Sequence, residues 1–216
     1  MKRTLLFFAA AGAFLSVAGA PVKFTGIDFE TWDSKNNLPG QQPKWRWTLP
    51  PAQAPFAVME QSSAEKHSGN FSLHLKDDSK AAVNHAIGYS FSPAELKKYS
   101  GSIITFSAWV KQAAASGPNV VGISIWAVDG ETGKSSHAEM GVPTTQAADW
   151  TELKQKMRLP AKTKQLIVYL RCAQGWGCTG EAWFDDVTIT FDDVKTTAKP
   201  AAAPAKAAKA DAEKKK

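Results

Sequence analysis

Two adjacent carboxylates, Asp185 and Asp186, interrupt the segment 180–190, which otherwise has the composition of a β-strand. Aspartate is depleted in strands, and neighbouring side chains of a strand point to opposite faces of the sheet. We therefore expect at least one of the two to face inward, where a charge without a partner is very costly. A bound cation would remove that cost.

A second group of residues combines aromatic rings with a hydrogen-bond donor on alternating runs of the chain. Three runs alternate with period two, and in such strands the apolar residues face the core while the intervening residues face outward. The outward positions include Trp109 on the first run, Trp126 on the second, and Tyr169 and Arg171 on the third. Aromatic rings offer large apolar faces to a pyranose, and Arg donates hydrogen bonds to hydroxyl groups. The pattern predicts three strands that share one aromatic face and form a glycan cleft.

Other interpretations of this face remain open. Segment 41–55 could cover it as a loop, and Trp109 in particular could belong to the core. The aromatic surface could also meet a protein partner. Tyr89, in the alternating run 85–91, could join the face or lie in the core.

A short glycine-containing loop between Cys172 and Cys178 carries Trp176. An oxidising compartment would let the two cysteines form a disulfide, and their spacing fits a structural staple better than a metal or redox site. Trp176 on a rigid loop would be an anchor for sugar or for protein. The alternative is a Trp176 side chain that folds back over the edge of the sheet.

These residues must be positioned by β-strands. Alternation with period two recurs along the chain, Gly and Pro punctuate the intervals, and segment 93–99 could form a turn of helix. The predicted fold class is all-β, since many short strands of this kind form a sandwich or a barrel. We place one domain at residues 19–194, which is enough chain for a single well-buried core.

Six short segments follow one another in an order that is typical of a known group. They are 26–30, Leu38–Pro39 with Trp45–Trp47, 67–73, 106–111, Trp150 with 158–160, and 182–187. Together they resemble the carbohydrate-binding modules of families 4, 9 and 22. The resemblance implies an antiparallel, two-sheet jelly-roll β-sandwich, similar to galactose-binding-like domains, with a poly- or oligosaccharide as ligand. Related jelly rolls also serve as enzyme accessories and adhesion modules, because a fold does not fix a function.

The resemblance also implies a structural Ca²⁺ ion that ties the first strand, a central turn and the last strand together. Glu30 and Asp185 would supply carboxylate oxygens, and main-chain carbonyls would come from near Asp28 and from the turn that contains Ser68. Calcium takes six to eight oxygen ligands of these kinds. The alternative is that Glu30 and Asp185 pair with Lys or accept hydrogen bonds from backbone N–H groups.

Both ends of the chain differ in composition from the body. Residues 1–18 have the layout of a secretory signal peptide, with Lys2 and Arg3 before an apolar run. We therefore expect a secreted or periplasmic protein without a transmembrane segment, since no apolar run is long enough. Residues 195–216 are rich in Ala, Pro and Lys and are predicted to form a disordered tail. The tail is either a solvated spacer or a contact for an anionic envelope polymer.

Catalysis and specific nucleic-acid binding find little support in the sequence. The paired carboxylates of a glycosidase motif, a metal-binding spacing of His, a nucleophile elbow and a phosphate loop are all missing. The body also lacks a basic face with interleaved aromatic residues. We predict a non-catalytic carbohydrate-binding module. The second candidate is an envelope structural or adhesion protein that binds a protein through the same surface, and the third is a polysaccharide-cleaving enzyme of unrecognised type.

Overall fold

The computed structural model describes residues 21–27, 29–40, 44–47, 57–78, 85–117, 121–173 and 178–192. Within them lie thirteen β-strands and one α-helix. In chain order these are β1 Val22–Ile27, β2 Trp32–Asp33, β3 Leu38–Pro39, β4 Trp45–Trp47, β5 Ala57–Ser62, β6 Ser72–Asp77, β7 His85–Ser90, α1 Pro93–Tyr99, β8 Ile103–Ser116, β9 Gly122–Asp129, β10 Ser135–Gly141, β11 Ala148–Arg158, β12 Thr163–Ala173 and β13 Thr179–Asp192. No helix in these ranges is long and apolar enough to cross a membrane.

Two antiparallel sheets form the body of the molecule. The front sheet has the strand order β10-β9-β12-β7-β4, and the back sheet has the order β11-β8-β13-β6-β5. In the back sheet, β6 pairs with the first half of β13 and β1 pairs with its second half. Strands β2 and β3 form a separate small hairpin. This arrangement confirms the predicted all-β jelly-roll sandwich.

The core lies between the two sheets, on the faces that the period-two alternation predicted. Alternate residues of β8, β9 and β12 are almost completely buried: Ile104, Phe106, Ala108, Val110, Ile123, Ile125, Leu166, Val168 and Leu170. Successive side chains of a strand point to opposite faces, so one apolar row per strand is enough to fill the interior. The intervening residues are therefore free to form the two outer faces.

The helix α1 closes one end of the sandwich. Ser92 caps its N-terminus, where the Ser92 hydroxyl accepts a hydrogen bond from the Glu95 N–H and the Glu95 carboxylate accepts one from the Ser92 N–H. This reciprocal pair is a capping box. Leu96 and Tyr99 are the buried residues of the helix. The predicted turn of helix at this position is confirmed.

Aromatic rings fill the core beside the helix. Phe191 stacks on Tyr99 with ring centroids 4.1 Å apart, and it makes edge contacts with Phe24 and Phe91 at 5.7 and 5.5 Å. Tyr89 is only 4 % exposed and packs against the ring of Phe91, 5.3 Å away. Tyr89 therefore lies in the core and does not join the outer aromatic face.

The prediction that Trp109 shares a face with Trp126 and Tyr169 is wrong. Trp109 is on β8 in the back sheet, whereas Trp126 and Tyr169 are on β9 and β12 in the front sheet. The outer faces of the two sheets of a sandwich point in opposite directions. Trp109 instead stacks on the ring of His67, with centroids 3.9 Å apart.

The predicted disulfide between Cys172 and Cys178 is not formed. Cys172 continues the inward series of β12 and is fully buried in the core. Burial raises the pKa of the Cys172 thiol, and a hydrogen bond from the Asp77 backbone partly opposes that rise. The Cys172 side chain is thus packed inside the sandwich, whereas Cys178 lies next to the start of β13.

Candidate functional site

The outer face of the front sheet brings Trp126, Tyr169 and Arg171 together, as the alternation predicted. Trp126 lies directly opposite Ile167, and Tyr169 lies directly opposite Ser124. Trp126 and Tyr169 are therefore diagonal neighbours on adjacent strands, with Cα atoms about 7–8 Å apart. Both side chains are partly exposed, so their rings form one aromatic surface.

Tyr169 lies across Gly88 of the neighbouring strand β7. A Cβ atom built on Gly88 would lie 2.7 Å from Cε1 and 2.9 Å from Cδ1 of the Tyr169 ring, which is closer than carbon atoms approach without a bond. The missing side chain of Gly88 therefore leaves room for the ring against the sheet. Burial raises the pKa of the Tyr169 hydroxyl. The contact with Gly88 thus fixes the position of the Tyr169 ring against the sheet.

Arg171 is held by Glu139 on β10. Its Nη1 donates a hydrogen bond of 2.8 Å to Oε2 of Glu139. The Arg171 side chain is 6 % exposed and the Glu139 side chain is 37 % exposed. Burial lowers the pKa of the Arg171 guanidinium, and the Glu139 carboxylate acts in the opposite direction. The ion pair fixes Arg171 beside the aromatic rings.

One row of directly opposite residues crosses all five strands of the front sheet. It runs from Glu139 through Ser124, Tyr169 and Gly88 to Arg46. Residues that lie directly opposite each other point to the same face. With neighbouring strands about 4.8 Å apart, the row is about 19 Å long. It places a carboxylate at one edge, a guanidinium at the other and the Tyr169 ring between them.

Three of the four residues that were predicted to hold a cation meet beside strand β13 of the back sheet. Glu30, Ser68 and Asp185 converge on the turn at residues 66–70, whereas Asp28 lies outside the described residues. Oδ2 of Asp185 accepts hydrogen bonds from the N–H groups of His67 at 2.9 Å and Ser68 at 3.0 Å. Asp185 lies opposite Trp109 and is fully buried beneath the turn. It is therefore covered by the turn and does not point between the two sheets.

Glu30 and Asp186 hold the same turn from two further directions. Oε1 of Glu30 accepts hydrogen bonds from the N–H groups of Asn70 at 2.8 Å and Phe71 at 3.0 Å. These hydrogen bonds lower the pKa of Glu30. Asp186 accepts a hydrogen bond of 2.7 Å from the Ser68 hydroxyl. Glu30 and Asp185 thus accept hydrogen bonds from backbone N–H groups, which is the alternative that the sequence left open.

The electrostatics of Asp185 differ from those of Glu30. Burial raises the pKa of Asp185. The hydrogen bonds that backbone N–H groups donate to its carboxylate lower the pKa and so oppose that rise. The carboxylate oxygens of Glu30 and Asp185 are ligands that suit Ca²⁺. The Glu30 carboxylate lies close to the turn, because a Cβ atom on Gly69, whose φ is +60°, would collide with it. No cluster of three or more His, Cys, Asp or Glu side chains that could hold a metal occurs in the described ranges. A Ca²⁺ ion there would need main-chain carbonyl or water oxygens in addition to Glu30 and Asp185.

Solved structures share this architecture, although no protein-family model and no curated protein match the sequence. The chain is similar to the CBM22-1 xylan-binding domain from Paenibacillus barcinonensis Xyn10C, with a TM-score of 0.52 and 16% identity over 78% of this chain and 92% of that domain. The CBM22-1-CBM22-2 tandem of the same protein gives a TM-score of 0.57, with 16% identity over 87% of this chain and 50% of the tandem. The fold is that of the family 22 carbohydrate-binding modules.

A third structure of this fold contains a sugar. The CBM22-1-GH10 modules of Clostridium thermocellum Xyn10B, complexed with xylohexaose, give a TM-score of 0.51 with 17% identity, over 76% of this chain and 27% of that chain. At this identity the likeness concerns the arrangement of the strands. The ligand of the outer face of the front sheet, called the front face below, depends on the side chains that this chain places there.

Three residues of the front face were missed in the sequence, namely Arg46, Gly88 and Glu139. Arg46 lies between Trp45 and Trp47, and alternation along that segment would have placed it on the face opposite to the buried Trp45. Gly88 and Glu139 gave no such signal, because their roles depend on which strands are paired. Trp176, the other predicted anchor, lies outside the described residues.

Proposed function

We propose that this chain is an exported, non-catalytic carbohydrate-binding module that binds a poly- or oligosaccharide across the outer face of its front sheet. The observation that carries the proposal is the shared outward position of Trp126, Tyr169 and Arg171 on adjacent strands. Export rests on the signal-peptide layout of residues 1–18. Sequencing the N-terminus of the protein recovered from the medium or periplasm tests that part.

The chemistry of the face suits a sugar chain. Trp126 and Tyr169 offer apolar ring surfaces, and each ring is attached to a β-strand, so little side-chain freedom remains to be lost on binding. Glu139, whose side chain is 37 % exposed, supplies a hydrogen-bond acceptor on the same face, and its ion pair with the buried Arg171 holds it in place. A sugar ring has apolar C–H surfaces and a rim of hydroxyl groups, so this combination of partners is complementary to it.

The direct test is a binding assay on a panel of plant, microbial and mucin-type glycans in the presence of Ca²⁺. Xylan is the first polymer to include, because two of the structures with this fold are described as xylan-binding or are complexed with xylohexaose. We expect binding to one class of glycan and no release of reducing ends. Release of reducing ends from any polymer would contradict the non-catalytic part of the proposal. Absence of binding to every glycan in the panel would contradict the binding part.

Gly88→Val is expected to weaken glycan binding about tenfold and to cost about 1–3 kcal/mol of stability. The new side chain would occupy the space under the Tyr169 ring and displace it from the sheet. Isothermal titration with the glycan found in the panel measures the affinity. Thr188→Val, on the outer face of the back sheet, is the control and should keep the affinity. Equal affinities for the two variants would show that the position of the Tyr169 ring does not matter.

We also propose that the turn at residues 66–70 holds a structural Ca²⁺ ion with Glu30 and Asp185. A ligand that binds only the folded state stabilises it, by about 2.7 kcal/mol when its concentration is a hundredfold above Kd. We expect a chelator to lower Tm and added Ca²⁺ to restore it. Asp185→Asn, which keeps an oxygen to accept the N–H bonds, should remove this response. A Tm that a chelator does not change would contradict the proposal.

A further inference from the structure

Acidic residues are distributed unevenly between the two sheets. In the front sheet, β4, β7 and β12 contain no Asp or Glu, and the acidic residues of its other strands are Asp129 and Glu139. The strands of the back sheet carry the larger set: Glu60, Asp77, Asp149, Glu152, Glu181, Asp185, Asp186 and Asp192. The front sheet is therefore the part of the sandwich where an anion meets the least repulsion.

Both acidic residues of the front sheet already have partners. Oδ1 of Asp129 accepts hydrogen bonds from the N–H groups of Glu131 at 2.7 Å and Thr132 at 3.3 Å, in the turn that follows β9. Glu139 is engaged with Arg171 at 2.8 Å. Neither carboxylate is thus left to neutralise another cation on this face.

Arg46 is a second cation on the outer face of the front sheet, besides Arg171. It is exposed on the edge strand β4, opposite Gly88, and the next residue across the sheet is Tyr169. Within the described ranges, no hydrogen bond or ion pair joins its side chain to another residue. The sequence around it, from residue 41 to residue 56, contains no Asp or Glu either. The guanidinium of Arg46 therefore lies on the outer face of the front sheet with no carboxylate partner among the residues that the structure describes.

We propose that the glycan bound by this face is an acidic one, whose sugars carry carboxylate groups, and that Arg46 is the residue that selects it. The inference rests on the proposed function and names its ligand class. A sugar stacked on Tyr169 would direct a carboxylate substituent towards Arg46, whose Cα lies two strand spacings away, about 10 Å. That distance is within reach of an extended arginine side chain and a substituted sugar unit.

The chemistry of arginine favours a carboxylate over a hydroxyl group. A guanidinium presents parallel N–H donors whose geometry matches the two oxygens of a carboxylate, and such charge-assisted pairs are stronger than hydrogen bonds between neutral groups. A neutral polymer would offer only hydroxyl groups to Arg46. The face therefore discriminates between an acidic polymer and a neutral one with the same backbone.

The experiment compares matched polymers on the full chain at low salt. The probes are a glucuronic-acid-bearing xylan and polygalacturonate, each before and after chemical reduction of its carboxyl groups to primary alcohols. We expect one native polymer to bind at least about tenfold more tightly than its reduced form, with a difference that salt weakens. Arg46→Gln should remove the difference. Lys154→Gln, which removes one exposed positive charge from the back sheet, should keep it.

The outcomes separate this inference from the proposed function. Equal binding of native and reduced forms, abolished by Trp126→Ala, would overturn the acidic-glycan inference and leave the carbohydrate-binding function in place. A preference for the native form that Arg46→Gln does not change would also overturn the inference, and would assign the preference to another part of the chain such as the Lys-rich tail. Absence of binding to all four polymers and to the glycan panel would overturn both.

Discussion

Trp126→Ala is expected to reduce glycan affinity about a hundredfold, or about 3 kcal/mol, without a change in Tm. The Trp126 side chain lies on the outer face of β9 and is partly exposed, so the fold loses few contacts when the ring is removed. The ligand would lose the largest apolar surface on the face. Tyr169→Ala should act in the same direction. Isothermal titration gives the affinity, and calorimetry of the unbound protein gives Tm.

The matched control is Trp183→Ala. Trp183 is also a partly exposed tryptophan on a strand, but it lies in the back sheet and stacks on His74 with centroids 4.7 Å apart. Its removal should leave glycan affinity unchanged. If Trp183→Ala lost affinity and Trp126→Ala kept it, the binding site would lie on the back sheet, and the proposed site on the front sheet would be contradicted. A large fall in Tm for Trp126→Ala would show that the ring belongs to the core.

Phe191→Ala is expected to cost about 3–5 kcal/mol of unfolding free energy. The Phe191 ring is fully buried, stacks on Tyr99 and contacts Phe24 and Phe91 edge-on. Its removal would leave a cavity where the helix meets both sheets. Because neighbouring rings are rigid, they cannot collapse into that space. Urea denaturation followed by Trp fluorescence measures the loss.

Phe191→Leu is the control for that substitution, since leucine keeps most of the apolar volume and should cost clearly less. Both variants lie in the core, away from the front face, so the folded fraction of each should bind glycan with the affinity of the parent protein. A Phe191→Ala variant as stable as the parent would contradict the packing of this aromatic cluster.

The sequence allowed the face of each residue within its own strand to be predicted. The inward rows of β8, β9 and β12 were correct because alternation is a local property of a strand. The same reasoning placed Trp126, Tyr169 and Arg171 on one face and would have placed Cys172 in the core, had it been extended two residues past Leu170. The disulfide prediction failed because the cysteine spacing was considered without that parity.

Properties that depend on strand pairing could not be obtained in this way. Trp109 was assigned to the wrong sheet, because nothing local says whether β8 pairs with β13 or with β9. Glu139 reaches Arg171 only because β10 adds to the edge of the front sheet. The space that Gly88 provides for Tyr169 depends likewise on the register between β7 and β12. Long-range pairing sets these contacts, and a single sequence carries little information on it.

The adjacent carboxylates Asp185 and Asp186 combine a local property that the sequence predicts with a long-range contact that it does not. Their composition correctly marked an unusual site in a strand, and Asp185 is indeed buried. The sequence could not show that the turn at residues 66–70 would cover it and donate N–H groups to it from 118 and 117 positions away. The burial comes from a distant turn across the outer face of the back sheet.

Binding at the outer face of the front sheet is tested most directly by following the indole N–H resonances of the tryptophans by nuclear magnetic resonance while the glycan found in the panel is added. These resonances report which tryptophan the ligand approaches. We predict that the Trp126 signal, assigned from Trp126→Phe, shifts progressively with glycan concentration while the signals of Trp109 and Trp183 stay in place. A titration in which Trp109 or Trp183 shifts and Trp126 does not would contradict binding at the front face.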